Sequence, residues 1–122
     1  MGKGCVHSEM PSSFENYTIG FQLWIDLPEE KKYMDPNFKL FKKDQVPEFK
    51  EDGIVVRIIS GEVALENKKF VGIAKPEAPD FFYLDVRMDI NKKLKISLPS
   101  EVNGLIFNYE GDLDVNGKIS QN

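Results

Sequence analysis

The residue types best suited to chemistry lie near the N-terminus, in the run Gly-Cys-Val-His-Ser-Glu-Met over residues 4–10. This run contains the only histidine of the chain, His7, and a carboxylate two positions later, Glu9. On an extended strand, residues i and i+2 project from the same face, so we expect the two side chains to lie side by side. An imidazole and a carboxylate can form half of a metal site. Because the sequence has no second histidine, the other half must come from elsewhere.

A third potential ligand, Cys5, precedes His7 by two residues and would share its strand face. A Cys-x-His-x-Glu trio could bind zinc through the thiolate and the imidazole. An isolated cysteine is more often a small buried hydrophobe, and this interpretation is favoured for Cys5.

The elements that position these residues are predicted to be β-strands. Over residues 17–27 every odd position is apolar, which is typical of a long strand with one buried face. Trp24 projects from the other face of that strand, where we expect it to pack in a core rather than to form a substrate platform.

Further strands are predicted downstream, with no sustained helical period anywhere. Residues 54–59 are apolar on both faces and predict a buried strand, preceded by a turn at Glu51-Asp52-Gly53. Clean alternation predicts strands over residues 82–90, 94–98 and 105–109, a weaker strand over 70–73 and a turn at Asn103-Gly104. Short helical turns are predicted after Pro28 and over residues 42–47. Asp85, Arg87 and Asp89 alternate along one strand and predict a solvated sheet face.

Composition excludes several classes of function. The net charge is −4 and the lysine pairs are dispersed among acids, which argues against direct nucleic-acid binding. One cysteine permits no internal disulfide, which fits a reducing compartment. No apolar run approaches the roughly 20 residues that cross a bilayer, and the N-terminus lacks a secretory signal. We therefore expect a cytoplasmic or nuclear protein without membrane contact.

Several motifs resemble those of one family. The run Gly-Lys-Gly-Cys-Val-His-Ser-Glu-Met-Pro over residues 2–11 is similar to the pirin pattern Gly-Arg-Gly-Ile-x-His-x-Glu-x-Pro. Residues 20–28, Gly-Phe-Gln-Leu-Trp-Ile-Asp-Leu-Pro, resemble the pirin Gly-x-Gln-Leu-Trp run. Met-Asp-Pro-Asn-Phe over residues 34–38 resembles the pirin Met-x-Pro-x-Tyr, and matches at residues 59–62 and 82–85 follow in the expected order.

The resemblance implies an all-β cupin fold, because pirins are bicupins with two β-barrels joined by a connector. The chain is similar to the middle of a pirin, and we expect it to be incomplete relative to full members. Residues 1–27 then correspond to the last strands of the first cupin, 28–52 to the connector and 53–122 to the start of the second cupin.

The resemblance also implies a metal site. Pirins hold a metal, usually iron (Fe²⁺), with three histidines and one glutamate, and His7 and Glu9 match the last two ligands. The first two form a His-x-His pair upstream, on a part of the barrel that this chain lacks. Some pirins resemble quercetin 2,3-dioxygenases, and the role of proton-accepting catalytic base would transfer to Glu9.

Three functions follow from the resemblance. The first is a metal-dependent dioxygenase acting on a small flavonol-like substrate. The second is a non-enzymatic nuclear cofactor that contacts a transcription factor. The third, favoured for the chain alone, is an inactive fragment. Exposed strand faces also predict self-association.

Overall fold

The structure is a computed structural model that describes residues 2–10, 19–75, 77, 81–101 and 103–121. Within these ranges the regular elements are strands and two single 3₁₀ turns, and no α-helix occurs. The 3₁₀ turns span Glu29–Lys31 and Lys43–Gln45, where the sequence predicted short turns. The strands are β1 (Glu48–Glu51), β2 (Ile54–Ser60), β3 (Glu62–Leu65), β4 (Lys68–Val71), β5 (Tyr83–Met88), β6 (Leu113–Val115) and β7 (Lys118–Ser120).

The strand β2 is the centre of the fold. It pairs antiparallel with β1 on one side and with β5 on the other, so its backbone is hydrogen-bonded along both edges. Its β-branched residues suit a strand that is covered on both faces, as the sequence predicted for residues 54–59. The predicted turn before it is also confirmed: Asp52 and Gly53 take φ values of 44° and 77°, which a two-residue hairpin of this hand requires.

Two further hairpins complete the described strands. The β3–β4 hairpin turns at Glu66 and Asn67, and the β6–β7 hairpin turns at Asn116 and Gly117, all four residues with positive φ. Asparagine and glycine tolerate this left-handed backbone better than most residues. The sequence analysis predicted no strand over residues 62–65, where β3 lies.

The hydrophobic core lies between the three-stranded sheet and the β3–β4 hairpin. Among the described residues, five apolar side chains are buried there: Phe49, Val56, Ile58, Val63 and Leu65. Apolar residues of β4, β5 and the segment after β5 pack around them, and the rings of Phe49 and Phe70 meet edge to face at 5.8 Å. Alternation along β2 therefore directs Val56 and Ile58 into this layer and Arg57 to the opposite face.

The end of β2 passes close to the segment that follows β4. Ser60 is buried, and its hydroxyl donates a hydrogen bond to the Ala74 carbonyl with an O···O distance of 2.9 Å. A Cβ at Gly72 would lie 2.5 Å from the Cα of Ser60, so only glycine permits this approach. The contact joins the hairpin layer to the sheet.

Three of the predicted strands do not form. Residues 19–27 form none, and most of their apolar side chains are exposed; residue 17, where the strand was predicted to begin, lies outside the described residues. Residues 94–98 and 105–109 also form no ladder, although Leu94 and Ile96 still pack on the core. The predicted turn at Asn103-Gly104 is displaced to Ser100 and Glu101. A period of two predicts which face is apolar, whereas a strand also needs a hydrogen-bonding neighbour.

The all-β class is confirmed by the described elements, although the described strands do not close into a barrel. The division into the end of one cupin, a connector and the start of a second stays a prediction. In the described part of the chain, no helix has the length and hydrophobicity needed to span a membrane.

Candidate metal half-site

The segment that carries His7 and Glu9 was expected to be a strand, but it is part of none. Its beginning is fixed against residues 34 and 35: the Lys3 backbone N–H donates to the Met34 carbonyl at 2.9 Å, and the Lys3 ammonium lies 2.9 Å from an Asp35 carboxylate oxygen. Gly2 has φ of +54°, and a Cβ there would lie 2.2 Å from the Met34 oxygen. Glycine is thus required where this segment meets the rest of the chain.

His7 and Glu9 lie side by side, as their spacing predicts. The imidazole Nε2 is 3.8 Å from the carboxylate Oε1, and the two side chains are 50% and 71% exposed. We refer to these two residues as the His7–Glu9 pair. Their exposure leaves both donor atoms accessible to an ion from solvent. The role of the pair as metal ligands, and of Glu9 as a base, stays a prediction.

Gln22 also contacts Glu9, which the sequence did not indicate. Its amide Nε2 donates to the second carboxylate oxygen, Oε2, across 3.5 Å, a long and weak hydrogen bond. The other carboxylate oxygen, Oε1, is the one that faces His7. The only sequence signal was its position on the polar face of the alternating run over residues 17–27, which does not identify the neighbour that it contacts.

The zinc trio of Cys5, His7 and Glu9 is not formed. The Cys5 thiol is exposed and faces the backbone carbonyl of the next residue at 3.7 Å, and no group of three or more His, Cys, Asp or Glu side chains able to hold a metal occurs among the described residues. The favoured interpretation of Cys5 as a buried hydrophobe is also wrong, because the side chain is exposed. The described donor set, one imidazole and one carboxylate, therefore does not fit the complete ligand set of four that the pirin resemblance implies.

A second polar cluster lies on the face of the sheet opposite the core. Arg57 donates from Nε to Glu48 and from a terminal nitrogen to Asp85, each at 2.8 Å, and the Tyr109 hydroxyl donates to Asp85 at 2.9 Å. Arg57 stands between Glu48 and Asp85 in register, so the three strands present these groups in a row. The predicted solvated face is thus wrong for Asp85, whose side chain is only 25% exposed.

This cluster shifts the pKa values of its members. Hydrogen bonds from Lys50 and then Arg57 lower the pKa of Glu48, and hydrogen bonds to Glu48 and Asp85 raise the pKa of Arg57. Burial, followed by the hydrogen bond to Asp85, raises the pKa of Tyr109. All three pKa shifts favour a charged Glu48, a charged Arg57 and a protonated Tyr109 at neutral pH, which are the states that form the hydrogen bonds of this cluster. We therefore assign the cluster a role in stabilising the sheet.

Trp24 is 79% exposed, so the prediction that it packs in a core is wrong. Its neighbours Ile19, Phe21 and Leu23 are at least half exposed as well. Phe21 contacts the rings of Phe107 and Tyr109 at centroid distances of 5.8 and 5.0 Å. The segments around residues 19–25 and 105–107 thereby present apolar side chains to solvent, and we call them the apolar surface.

Comparison with known proteins confirms the resemblance stated from the motifs. The chain is 34% identical to pirin from Homo sapiens over 112 residues, which are 92% of this chain and 37% of that protein. It is 33% identical over 115 residues to a pirin-like protein of Caulobacter vibrioides, covering 93% of this chain and 41% of the relative. A Vibrio cholerae protein whose name proposes a quercetin 2,3-dioxygenase is 30% identical over 121 residues, which are 98% of this chain and 42% of that protein.

The chain spans about two fifths of the length of these curated relatives. No family model matches it, and no solved structure does.

Proposed function

We propose that this chain, which is similar to pirins over about two fifths of their length, supplies two ligands, His7 and Glu9, to a divalent metal ion. One observation carries the proposal: the imidazole nitrogen and the carboxylate oxygen face each other at 3.8 Å on an exposed segment. Neutral imidazole and carboxylate are common protein ligands of zinc, iron and similar divalent ions.

The proposal is limited to half a site. The described residues provide two donors where the family set has four, so the described part of the chain does not match the complete site. Iron as the physiological metal, dioxygenase activity on a flavonol-like substrate and Glu9 as the base are proposals for the completed site. Their support is the relative whose name proposes a quercetin 2,3-dioxygenase, together with the motif that contains the pair.

Metal binding by the purified chain tests this function. Isothermal titration with Zn²⁺ or Fe²⁺, the latter without oxygen, measures the affinity of the wild type, His7→Ala and Glu9→Gln. Each variant removes one of two donors, so we expect an affinity loss of at least about tenfold, or about 1.4 kcal/mol. Glu30→Gln, which removes an equal charge from an exposed position, is the control and should bind like the wild type. Equal affinity of the His7→Ala variant and the wild type would refute the proposal.

The apolar surface favours a second candidate, a non-enzymatic binding protein. A contiguous apolar patch on a soluble protein often marks a protein interaction site. Under this alternative the chain contacts a transcription factor in the nucleus, with no need of metal.

Affinity capture from nuclear extract, read by mass spectrometry, tests this alternative. A transcription factor retained by the wild type and by His7→Ala, but lost with Trp24→Ser, would support it. Retention that is equal in all three proteins, or recovery of no transcription factor, would contradict it.

A further inference from the structure

We propose that Asn103 is a site of spontaneous deamidation, which converts its side-chain amide to a carboxylate. The chain contains two Asn-Gly pairs, Asn103-Gly104 and Asn116-Gly117, and each follows a valine. Asn-Gly pairs suit this reaction because glycine has no Cβ to hinder attack by its backbone nitrogen. The local sequences of the two pairs are nearly the same, so the difference between them comes from the fold.

The reaction takes place within the chain and needs only water. The backbone nitrogen of Gly104 loses its proton and bonds to the Cγ of Asn103, and the bond from Cγ to the side-chain nitrogen breaks, so that ammonia leaves. The product is a cyclic imide, a succinimide. Water then opens the ring at either of its two carbonyls, which gives aspartate or isoaspartate. Neither step changes an oxidation state.

The surroundings of Asn103 permit this ring closure. Residues 103–109 belong to no strand, and Asn103 and Gly104 are both exposed. Within the described part of the chain, no atom beyond the chain neighbours lies within 4 Å of a Cβ placed on Gly104, and no backbone hydrogen bond involves its nitrogen. The described contacts therefore do not restrain the rotation that brings this nitrogen to the Cγ of Asn103.

The β6–β7 hairpin holds the second pair in a less reactive arrangement. Asn116 has a φ of 52° and lies in the turn between the paired residues Val115 and Lys118. The Gly117 nitrogen donates to the Asp114 carboxylate with an N···O distance of 2.6 Å. Loss of the proton from that nitrogen would leave two negatively charged atoms side by side, which is unfavourable. Ring closure at Asn116 would also need rotation of a turn that the strand ladder fixes.

Deamidation of Asn103 changes the charge beside the apolar surface. Leu105 follows two residues later and is 90% exposed, and Ile106 and Phe107 are exposed as well. The reaction adds one carboxylate next to these side chains in a chain whose net charge is already −4. Since the buried core residues lie in other segments, we expect the modified chain to keep its fold.

Peptide mapping after prolonged incubation of the purified chain at mildly alkaline pH tests the proposal. Cleavage after glutamate separates the two pairs, because Glu110 lies between them, and fragmentation in the mass spectrometer locates each new carboxylate. We expect deamidation at Asn103 to be at least about tenfold faster than at Asn116, equivalent to about 1.4 kcal/mol of activation free energy. In urea the two rates should become similar, because unfolding removes the hairpin.

Two variants sharpen the test. Gly104→Ala places a methyl group beside the attacking nitrogen and should slow the reaction at Asn103, and the open space at this position accommodates the methyl group. Asp114→Ala removes the acceptor of the Gly117 N–H and should raise the rate at Asn116. Circular dichroism checks that both variants fold like the wild type.

The opposite results would overturn the proposal. Equal rates at the two positions of the folded chain, or a faster reaction at Asn116, would contradict it. An intact Asn103 in the folded chain under conditions in which the chain in urea reacts would also contradict it. An unchanged rate at Asn116 in Asp114→Ala would overturn the protective role assigned to that carboxylate. None of these outcomes depends on metal binding, so they are independent of the proposed function.

Discussion

The strand β2 and the segment over residues 19–27 have a similar apolar content, but only β2 forms a strand. Both are rich in apolar residues, and the second alternates more regularly than the first, whereas β2 has the more β-branched residues. β2 pairs with strands on both edges and buries Val56 and Ile58 completely. The segment over residues 19–27 pairs with no strand in the described chain and leaves Leu23 half exposed. Apolar patterning therefore specifies a face, and a neighbouring strand decides whether that face is buried.

The presence or absence of strand pairing also distinguishes the polar cluster around Arg57 from the His7–Glu9 pair. Glu48, Arg57 and Asp85 are held in a row by the register of three paired strands, and all are at most one quarter exposed. The His7–Glu9 pair lies on an unpaired segment and is at least half exposed. The first cluster is therefore fixed by the fold, whereas the second depends on a few weak contacts and on whatever binds it.

The largest expected effect on stability comes from a matched pair of side-chain substitutions, one in each region. Ile58→Ala removes a fully buried side chain and should lower the free energy of unfolding by about 2–4 kcal/mol, because the lost apolar contacts leave a cavity. Leu23→Ala at a half-exposed position should change it by less than about 0.5 kcal/mol. Urea denaturation followed by circular dichroism measures both.

If Ile58→Ala does not fold, Ile58→Val provides the same comparison at about 0.5–1.5 kcal/mol. Equal losses at positions 58 and 23 would show that residues 19–27 are buried after all, and the contrast would fail.

A smaller effect is expected where an ion pair is removed from the paired strands. Arg57→Met keeps the length of the side chain but leaves Glu48 and Asp85 without their shared donor, which should cost about 1–2 kcal/mol at neutral pH. Lys69→Met, which removes an exposed partner of Glu62, is the matched control and should cost less than about 0.5 kcal/mol.

The pH dependence of the Arg57 variant sharpens this test. The pKa of Glu48 is lowered in the folded protein, so its contribution is present above the ordinary glutamate pKa and is lost as the pH falls through the lowered value. The Arg57→Met variant should therefore lose less stability on acidification than the wild type. A parallel loss in both proteins would contradict a coupling between Arg57 and Glu48.

What the sequence predicted correctly is local. The buried strand over residues 54–59 follows from a run of β-branched residues, and the turn before it follows from the Asp-Gly pair. The proximity of His7 and Glu9 agrees with their i, i+2 spacing, although no strand forms there.

What the sequence did not reveal depends on distant pairing. Arg57 meets Asp85 only because β2 and β5 align in one register, and nothing near either residue specifies that alignment. The contact between Gln22 and Glu9 joins two segments that share no strand ladder. β3 was missed for a different reason: Val63 and Leu65 do alternate, but the polar Glu66-Asn67 turn was not recognised as a hairpin loop.

The smallest effect is expected at Tyr109, which links an unpaired segment to the paired sheet through its hydroxyl. Tyr109→Phe removes the hydrogen bond to Asp85 and should lower the free energy of unfolding by about 0.5–1 kcal/mol at pH 7. Because the pKa of Tyr109 is raised in the folded protein, its contribution is complete below the ordinary tyrosine pKa of about 10. It is lost as the pH rises through the folded value. The difference in stability between wild type and variant should therefore shrink above pH 10, since other titrating groups are common to both proteins. Urea denaturation at pH 7, 9 and 11 measures that difference. A difference that stays constant would mean that the hydroxyl makes no contact with Asp85, and that residues 105–109 are as independent of the sheet as residues 19–27.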